Sequence, residues 1–356
     1  MWPDTRITDL FGIELPILQA PMAGSHGSEL AIAVSEAGGL GALPCAMLSI
    51  DKIRAEMGVI RQRTNRPVNL NFFTHTNPEP DAAREAGWRR RLAGYYAEFG
   101  LDADNIPAGP GRNPFDEAAC EVVEETRPEV VSFHFGLPEP SLLGRVKATG
   151  AKVIASATTV AEARWLEAHG CDAIIAQGAE AGGHRGIFLE DDIASQPGTM
   201  ALVPQVVDAV SVPVIAAGGI ADHRGVAAAF MLGAAAVQIG TAYLQSPEAL
   251  TSSGHRAALA EARDDRTVLT NVFTGRPARG LVNRIVREVG PMSLEAPAFP
   301  LATGAIAPLR KHAEAAGSVD FSPLWAGQAA ALGAAQPAGQ FTRDLAAETL
   351  RLLSRR

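Results

Sequence analysis

The chain is poor in cysteine. Its 356 residues contain only three, Cys45, Cys120 and Cys171. Because these residues are far apart and form no CxxC pair, we expect neither a disulfide framework nor a zinc site. Each thiol is expected to be a small buried apolar group in a reducing cytoplasm.

Long apolar runs and basic runs are also missing. No apolar stretch reaches the roughly 20 residues that a membrane span needs, and residues 1–6 lack the basic start and apolar core of a signal peptide. The net charge of −8, with no long basic run, makes nucleic acid a poor candidate ligand. We therefore expect a cytoplasmic protein with no membrane and no nucleic-acid partner.

Short apolar runs alternate along the chain with Ala- and Glu-rich segments of helical spacing, such as residues 159–169. Continuous apolar strands alternating with helices indicate a parallel sheet covered on both faces. Eight such units are the number that a closed (β/α)8 barrel requires. An open doubly wound sheet is the competing interpretation, but the early Gly38–Gly41 turn lacks the GxGxxG spacing. The eight runs are residues 16–20, 39–43, 67–72, 130–136, 152–157, 173–177, 213–219 and 236–241.

Two regions interrupt this alternation. Residues from about 76 to 115 are polar and helical, then rich in Gly and Pro at 107–111, and we interpret them as an insertion between strands three and four. After Tyr243 the alternation stops, and residues 246–356 are expected to form a mostly helical cap on the substrate pocket. The sequence thus predicts an α/β protein, a TIM barrel over residues 1–245 followed by this cap.

Glycines follow the last two predicted strands, as Gly218-Gly219 and as Gly240 before Thr241. In (β/α)8 proteins these two loops commonly bind phosphate, through bare backbone N–H groups and a following helix N-terminus. A tight strand-to-helix turn also uses glycine, but two such loops on the final strands favour phosphate. No Walker-type lysine follows, so a nucleoside triphosphate is not expected.

Two amides, Asn71 and Gln177, lie on otherwise apolar strands. A buried amide needs partners, and its ability to donate and accept suits the edge of a flavin ring. An amide satisfied inside the barrel explains each residue equally well. Residues 19–24, at the tip of strand one, suit a flat aromatic ligand, although by themselves they are explained by a plain turn.

Two histidines lie at strand tips: His134 ends strand four, and His184 lies beyond strand six in the Gly-rich stretch 177–186. Both should open onto one face of the barrel, where a neutral imidazole can act as a base. Their spacing to acidic residues does not suit a metal, so none is predicted. The pocket should be lined by Phe133, Phe135 and Phe188. The remaining histidines are expected to be solvated, namely His26, His75, His169, His223, His255 and His312.

Taken together, these residues resemble the nitronate monooxygenases of the class I type, formerly called 2-nitropropane dioxygenases. The resemblance covers residues 7–331, and the block at 177–186 is its most specific part. The glycines after strands seven and eight are shared by many FMN barrels. The matching segments are residues 19–22, 38–41, 71, 132–136, 177–186, 217–220, 238–241 and 324–328.

The resemblance implies an FMN enzyme that oxidises alkyl nitronates, such as propionate 3-nitronate, with O2 to a carbonyl compound and nitrite, without a nicotinamide. His184 would be the catalytic base, and His134 and His184 would contact the substrate. A homodimer is expected only by analogy with other barrels. The flavin would be held by Ala20, Pro21, Met22, Asn71, Gln177, Gly182, Gly183, Gly218, Gly219, Gln238, Ile239, Gly240 and Thr241.

Several alternatives stay open. Asn69 could take the place of Asn71. In residues 303–317, which are expected to help close the substrate pocket, no individual residue is matched to the family, so the preferred nitronate is not predicted. A related flavin barrel could use NAD(P)H to reduce quinones or enoyl thioesters, although the Phe-His-Phe-Gly sequence of strand four favours the nitronate enzyme. A sugar-phosphate barrel could use the same glycine loops without flavin. A binding-only module fits less well, because two histidines converge at strand tips.

Overall fold

The structure, a computed structural model, describes residues 1–103 and 112–354. The Gly- and Pro-rich stretch 107–111 lies outside these residues. The strands are β1 (Ile17–Gln19), β2 (Gly41–Pro44), β3 (Val68–Phe73), β4 (Val130–His134), β5 (Lys152–Ala157), β6 (Ala173–Gln177), β7 (Gly183–His184), β8 (Val214–Ala217), β9 (Ala236–Ile239), β10 (Thr267–Thr270) and β11 (Ala278–Leu281).

Eight of these strands form a parallel barrel. Their order is β1-β9-β8-β6-β5-β4-β3-β2, and a parallel bridge between Leu18 and Leu40 joins β1 to β2. Each of the eight predicted apolar runs overlaps one barrel strand. The (β/α)8 fold predicted from the alternation of strands and helices is therefore confirmed.

Side chains alternate between the two faces of each strand, and this alternation places the polar residues of β3. Val68, Leu70 and Phe72 pack into the core between barrel and helices. Because successive side chains of a strand point to opposite faces, Asn69 and Asn71 point into the barrel. The two polar residues of β3 are therefore presented to the barrel interior.

Helices surround the barrel, and none of those described is both long and apolar enough to cross a membrane. The last helix packs against the barrel helices that begin at Ser28 and at His223, so the end of the chain helps to close the outer layer. The helices are α1 (Arg6–Phe11), α2 (Ser28–Glu36), α3 (Ile50–Arg63), α4 (Ala82–Phe99), α5 (Glu117–Thr126), α6 (Pro140–Ala148), α7 (Val160–Ala168), α8 (Thr199–Val207), α9 (His223–Met231), α10 (Ser253–Ala260), α11 (Arg284–Val289), α12 (Thr303–Ala315) and α13 (Ala338–Leu353).

The insertion and the C-terminal region pack on each other. Helix α4 lies against α12, where the Trp88 indole donates to the carbonyl of Ala302 at 3.3 Å and the Tyr96 hydroxyl donates to that of Ala305 at 2.7 Å. The C-terminal region also contains the strands β10 and β11, which the sequence did not reveal. They form an antiparallel sheet with β7. This small sheet places C-terminal residues beside the loop that carries His184.

Candidate active site

A cavity opens at the carboxyl end of the barrel strands, where (β/α)8 proteins place their ligands. Residues at or just beyond the tips of all eight strands line it, and Trp325, Gly327 and Ala329 line it from the C-terminal region. Its described lining contains no aspartate or glutamate, and Arg112 is its one arginine or lysine. The cavity therefore suits an anionic or electron-rich ligand.

The cavity brings together almost every residue predicted for the site. His134 and His184 line it, as do all the predicted cofactor residues except Ile239. Ile239 is 1% exposed and packs in the core under the helices. Since Gln238 points into the barrel, the next side chain on β9 must point outward. The side chain of Ile239 therefore points away from the cavity, and the assignment of this residue to the cofactor stays a prediction that concerns its backbone.

The two asparagines of β3 differ in depth. Asn71 lines the cavity, and its Nδ2 donates to Ser132 Oγ at 3.0 Å and to Ser132 O at 3.2 Å. Asn69 is buried without lining the cavity, and its Oδ1 has no partner among the described residues. Asn71 is thus the asparagine placed to meet a ligand.

Gln177 fixes the loop that carries His184. Its Nε2 donates to the carbonyl of His184 at 3.1 Å, and its Oε1 accepts from the amide of Gly186 at 2.8 Å. The fully buried Arg185 holds the other side of the loop by donating to the carbonyls of Gln177 at 2.9 Å and Gly178 at 2.6 Å. The amide is therefore satisfied by protein groups while it lines the cavity.

Both ring nitrogens of His134 are engaged. Nε2 lies 3.2 Å from the carbonyl oxygen of His184, and Nδ1 lies 3.1 Å from Ser156 Oγ. A carbonyl can only accept, so Nε2 carries the proton and Nδ1 accepts from the serine hydroxyl. Burial, aided by the positive charge of Arg276, lowers the pKa of His134 to about 3. His134 is a neutral ring with no free lone pair.

His184 lies on β7, which pairs with β11. Its Nε2 is 3.0 Å from Thr274 Oγ1, and its ring centroid is 5.3 Å from that of Phe299 and 5.5 Å from that of Trp325. Burial and the nearby positive charge of Arg112 lower the pKa of His184 well below its usual range. The imidazole is therefore neutral near pH 7 and able to accept a proton.

Arg112 is the most consequential residue that the sequence did not single out. Its Nη1 donates to Thr303 Oγ1 at 3.2 Å, and its guanidinium carbon lies 5.6 Å from the Phe299 ring centroid. It forms no ion pair with a carboxylate in residues 1–103 and 112–354, and burial lowers its pKa. No spacing in the sequence links it to the strand tips. A half-buried cation with no carboxylate partner among the described residues is suited to an anionic ligand.

The predicted aromatic lining is only partly correct. Phe133 lines the cavity, together with Phe73, which was not predicted. Phe135 lies behind the lining, with the Arg276 guanidinium 4.0 Å from its ring centroid. Phe188 packs on Trp165 at 5.2 Å, outside the cavity. Phe135 and Phe188 therefore shape the site only from behind.

Three of the histidines expected to be solvated are buried: His26, His75 and His255. His26 Nε2 accepts from the amide of Met22 at 2.9 Å and lies 2.9 Å from Gln19 Nε2, so it holds the segment after β1 in place. The local sequence around these residues looks like that of surface positions, and tertiary packing alone buries them. The other three histidines are at least partly exposed, namely His169, His223 and His312.

The residues of the cavity fit a flavin. Gln238 presents a buried Oε1 with no partner among the described residues, which suits a ring N–H donor. Gly218 and Gly219 have φ values of 107° and 70°, which favour glycine. Thr241 Oγ1 accepts from the amide of Gly327 at 2.9 Å, so its own proton is available to an anion. These groups match a polar ring edge and a phosphate.

The anion site differs from the prediction in one respect. A following helix N-terminus was expected to help, but the side chain of Asp222 already accepts from two amides at the start of α9. The short 3₁₀-helix Thr241–Gln245 begins at Gly240 with no side-chain cap. The backbone amides at Gly240 and Thr241, unlike those at the start of α9, are therefore not capped by a side chain and can face an anion.

Known proteins decide the family. A model of the family described as nitronate monooxygenase matches residues 4–348. The chain belongs to the nitronate monooxygenase family. It is accordingly a flavin-dependent oxidoreductase that acts in nitronate oxidation, and the resemblance stated from the sequence is confirmed.

The relatives of this nitronate monooxygenase family member match it over almost its whole length. The nitronate monooxygenase of Pseudomonas aeruginosa is 42% identical, over 96% of this chain and 98% of the relative. The structure of nitroalkane oxidase from Streptomyces ansochromogenes is 40% identical with a TM-score of 0.89, and the match covers 98% and 99% of the two chains. FabK from Thermotoga maritima is 32% identical with a TM-score of 0.76, over 98% and 97%.

Proposed function

We propose that this chain binds FMN in the barrel cavity and oxidises alkyl nitronates, such as propionate 3-nitronate, with O2 to a carbonyl compound and nitrite. The observation that carries the proposal is the meeting of His184 and Arg112 in the cavity that also contains the glycine loops and Gln238. A bound FMN would supply the redox chemistry between the nitronate and O2.

The residues that would hold FMN divide into two groups. Gly219, Gly240 and Thr241 offer backbone and hydroxyl donors to the phosphate. Asn71 and Gln238 offer amide groups to the polar edge of the ring. The donors are unopposed, because the described cavity lining contains no carboxylate that would repel a phosphate.

The substrate would bind beside Arg112. A nitronate is an anion, and a buried guanidinium attracts it more strongly than an exposed one because water screens the charge less. His134 and His184 carry no positive charge that would attract the anion, because burial keeps both rings neutral. Phe73 and Trp325 provide the apolar walls for the alkyl part.

When the substrate is a neutral nitroalkane, a base must first remove its α-proton. His184 is neutral and lines the cavity. Among the described residues, only Thr274 forms a hydrogen bond with its ring, at Nε2. It would accept the proton while the C–H electron pair moves into the nitro group and forms the nitronate. His134 cannot take this role without giving up its hydrogen bond with Ser156.

Anaerobic mixing of the purified flavoprotein with a nitronate or with NAD(P)H tests the proposal. A nitronate should bleach the flavin absorbance, and subsequent air should restore it with release of nitrite. Bleaching by the nicotinamide alone would instead support the second candidate, a flavin reductase of quinones or enoyl thioesters. The NAD(P)H arm is included because the sequence leaves this candidate open and because FabK matches nearly the whole chain.

Two simpler measurements bear on the remaining parts of the proposal. Protein that stays colourless after incubation with FMN would point to the sugar-phosphate alternative. The mass in solution, from light scattering, tests the homodimer expected by analogy. The cytoplasmic location stays a prediction from cysteine usage.

A further inference from the structure

We infer that Thr274 is a positioning residue that holds the proton of His184 on Nε2, so that Nδ1 is the nitrogen that accepts the substrate proton. The inference deepens the proposed function and rests on it for the identity of the substrate. It starts from the contact between His184 Nε2 and Thr274 Oγ1, which are 3.0 Å apart.

Thr274 is held in place by the local fold. It lies between β10 and β11, in the turn that approaches β7, and it is 2% exposed. Register between β11 and β7 pairs Ala278 with His184. The pairing of β7 with β11 therefore brings the turn that carries Thr274 next to the His184 imidazole.

The direction of the hydrogen bond follows from the second partner of Thr274. Its Oγ1 lies 3.4 Å from the carbonyl oxygen of Arg276, to which it can donate, and 3.5 Å from the amide nitrogen of Arg276, from which it can accept. A hydroxyl has one proton, and only a proton directed at the Arg276 carbonyl lets Oγ1 satisfy both Arg276 groups and His184, so the inferred arrangement has the oxygen accepting from His184. Nε2 must then carry the hydrogen, and the lone pair of the neutral ring is on Nδ1.

Nδ1 is the free nitrogen of the ring. It takes no hydrogen bond from any residue that the structure describes, and His184 lines the cavity. His134 has the opposite status, because Ser156 and the carbonyl of His184 occupy both of its nitrogens. Of the two histidines that line the cavity, only His184 thus has an available lone pair, and Thr274 decides on which atom it lies.

The proton transfer balances with these groups alone. The α-proton of the nitroalkane moves to Nδ1, and the C–H electron pair becomes part of the nitronate. The resulting imidazolium keeps its Nε2–H bond to Thr274 and later releases the Nδ1 proton to water. A hydroxyl that only accepts is suited to both states of the ring, because it never has to reverse.

The first test reads the tautomer directly. Flavin-loaded protein labelled with [15N]histidine would be studied by long-range proton–nitrogen NMR, and the His184 signals would be assigned by their loss in His184→Asn. We expect a protonated Nε2 and an unprotonated Nδ1 in the wild type. A protonated Nδ1 would overturn the inference, whatever the enzyme turns out to oxidise.

The second test uses Thr274→Val, which keeps the shape and removes the hydroxyl, with Thr274→Ser as its matched control. With a neutral nitroalkane, kcat in Thr274→Val should fall by about 10- to 100-fold, up to the lower end of the worth of a general base. With a pre-formed nitronate it should fall much less. Thr274→Ser should recover most of the loss, because it keeps the hydroxyl.

Two outcomes of the second test would contradict the inference. One is full nitroalkane turnover in Thr274→Val at normal flavin content. The other is an equal loss with both substrates while the NMR signals still report Nε2–H. If the wild type turned over neither substrate, the proposed function would fail, and the tautomer measurement would still decide the role of Thr274. If Thr274→Val did not fold, the wild-type spectrum would decide it alone.

Discussion

Replacing His184 with asparagine separates the two tasks that the active site performs. The asparagine amide can still hydrogen-bond to Thr274, but it has no lone pair basic enough to take a proton. A neutral nitroalkane needs that proton removed, whereas a pre-formed nitronate does not. The ratio of the two activities therefore reports the base role of His184.

The expected size of the effect follows from the surroundings of the ring. Because burial and Arg112 keep the His184 pKa well below its usual range, the wild-type base is fully available near pH 7. Loss of a general base costs about 10²–10⁴-fold in rate, or about 3–5 kcal/mol of barrier. Lost packing against Phe299 and Trp325, at 5.3 and 5.5 Å, affects both substrates alike and cancels in the ratio.

The assay measures oxygen consumption and nitrite release at saturating concentrations of each substrate, with rates normalised to bound flavin. His134→Asn is the matched control, because His134 lines the same cavity but has both ring nitrogens engaged. It should lower both activities by the same factor. Equal losses with both substrates in His184→Asn would show that His184 positions the substrate or stabilises the anion and is not the base.

Three further predictions follow from the same site. Gly240→Asp should fold, because a Cβ at Gly240 meets only Ala20 Cβ at 3.4 Å and Met22 at 3.6 Å, but it should lose FMN because the carboxylate repels the phosphate. Gly240→Ala, the control, should keep the flavin, and the absorbance spectrum of each purified variant measures the flavin content. Arg112→Met should raise KM for a nitronate by about 10- to 100-fold, because a hydrogen bond to a charged group contributes about 1.5–3 kcal/mol. An unchanged KM in steady-state kinetics would show that Arg112 does not bind the substrate. The free energy of unfolding in urea should fall by about 1 kcal/mol for each of His26 and His255 from pH 7.5 to 5.5. Their pKa values in the folded chain are lowered to about 4, whereas an imidazole in the unfolded chain has a pKa of about 6.5. Only the unfolded chain therefore takes up protons between pH 7.5 and 5.5, and a free energy of unfolding that does not change over this range would contradict the prediction.

The barrel was predictable because its signal is local. Each strand lies in a short apolar run, most of these runs end in glycine or a polar residue, and the (β/α)8 fold places the carboxyl ends of the strands at one rim. Thus Gln177, Gly219 and Gly240 could be assigned to one site from their positions after strands. The inward direction of Asn71 likewise follows from the two-residue alternation along β3.

The remaining site residues depend on contacts that join distant parts of the chain. Arg112 reaches the cavity through its contacts with Thr303 and Phe299, almost 190 positions away, and no spacing in the sequence reports that approach. The same limit applies to the base. The sequence identifies an imidazole at a strand tip, but it does not show which ring nitrogen is free. By our inference that depends on Thr274, and the pairing of β11 with β7 is what places Thr274 beside His184. In this fold the strand tips provide the two histidines of the cavity, and the C-terminal region provides Thr274 and Trp325, which contact His184.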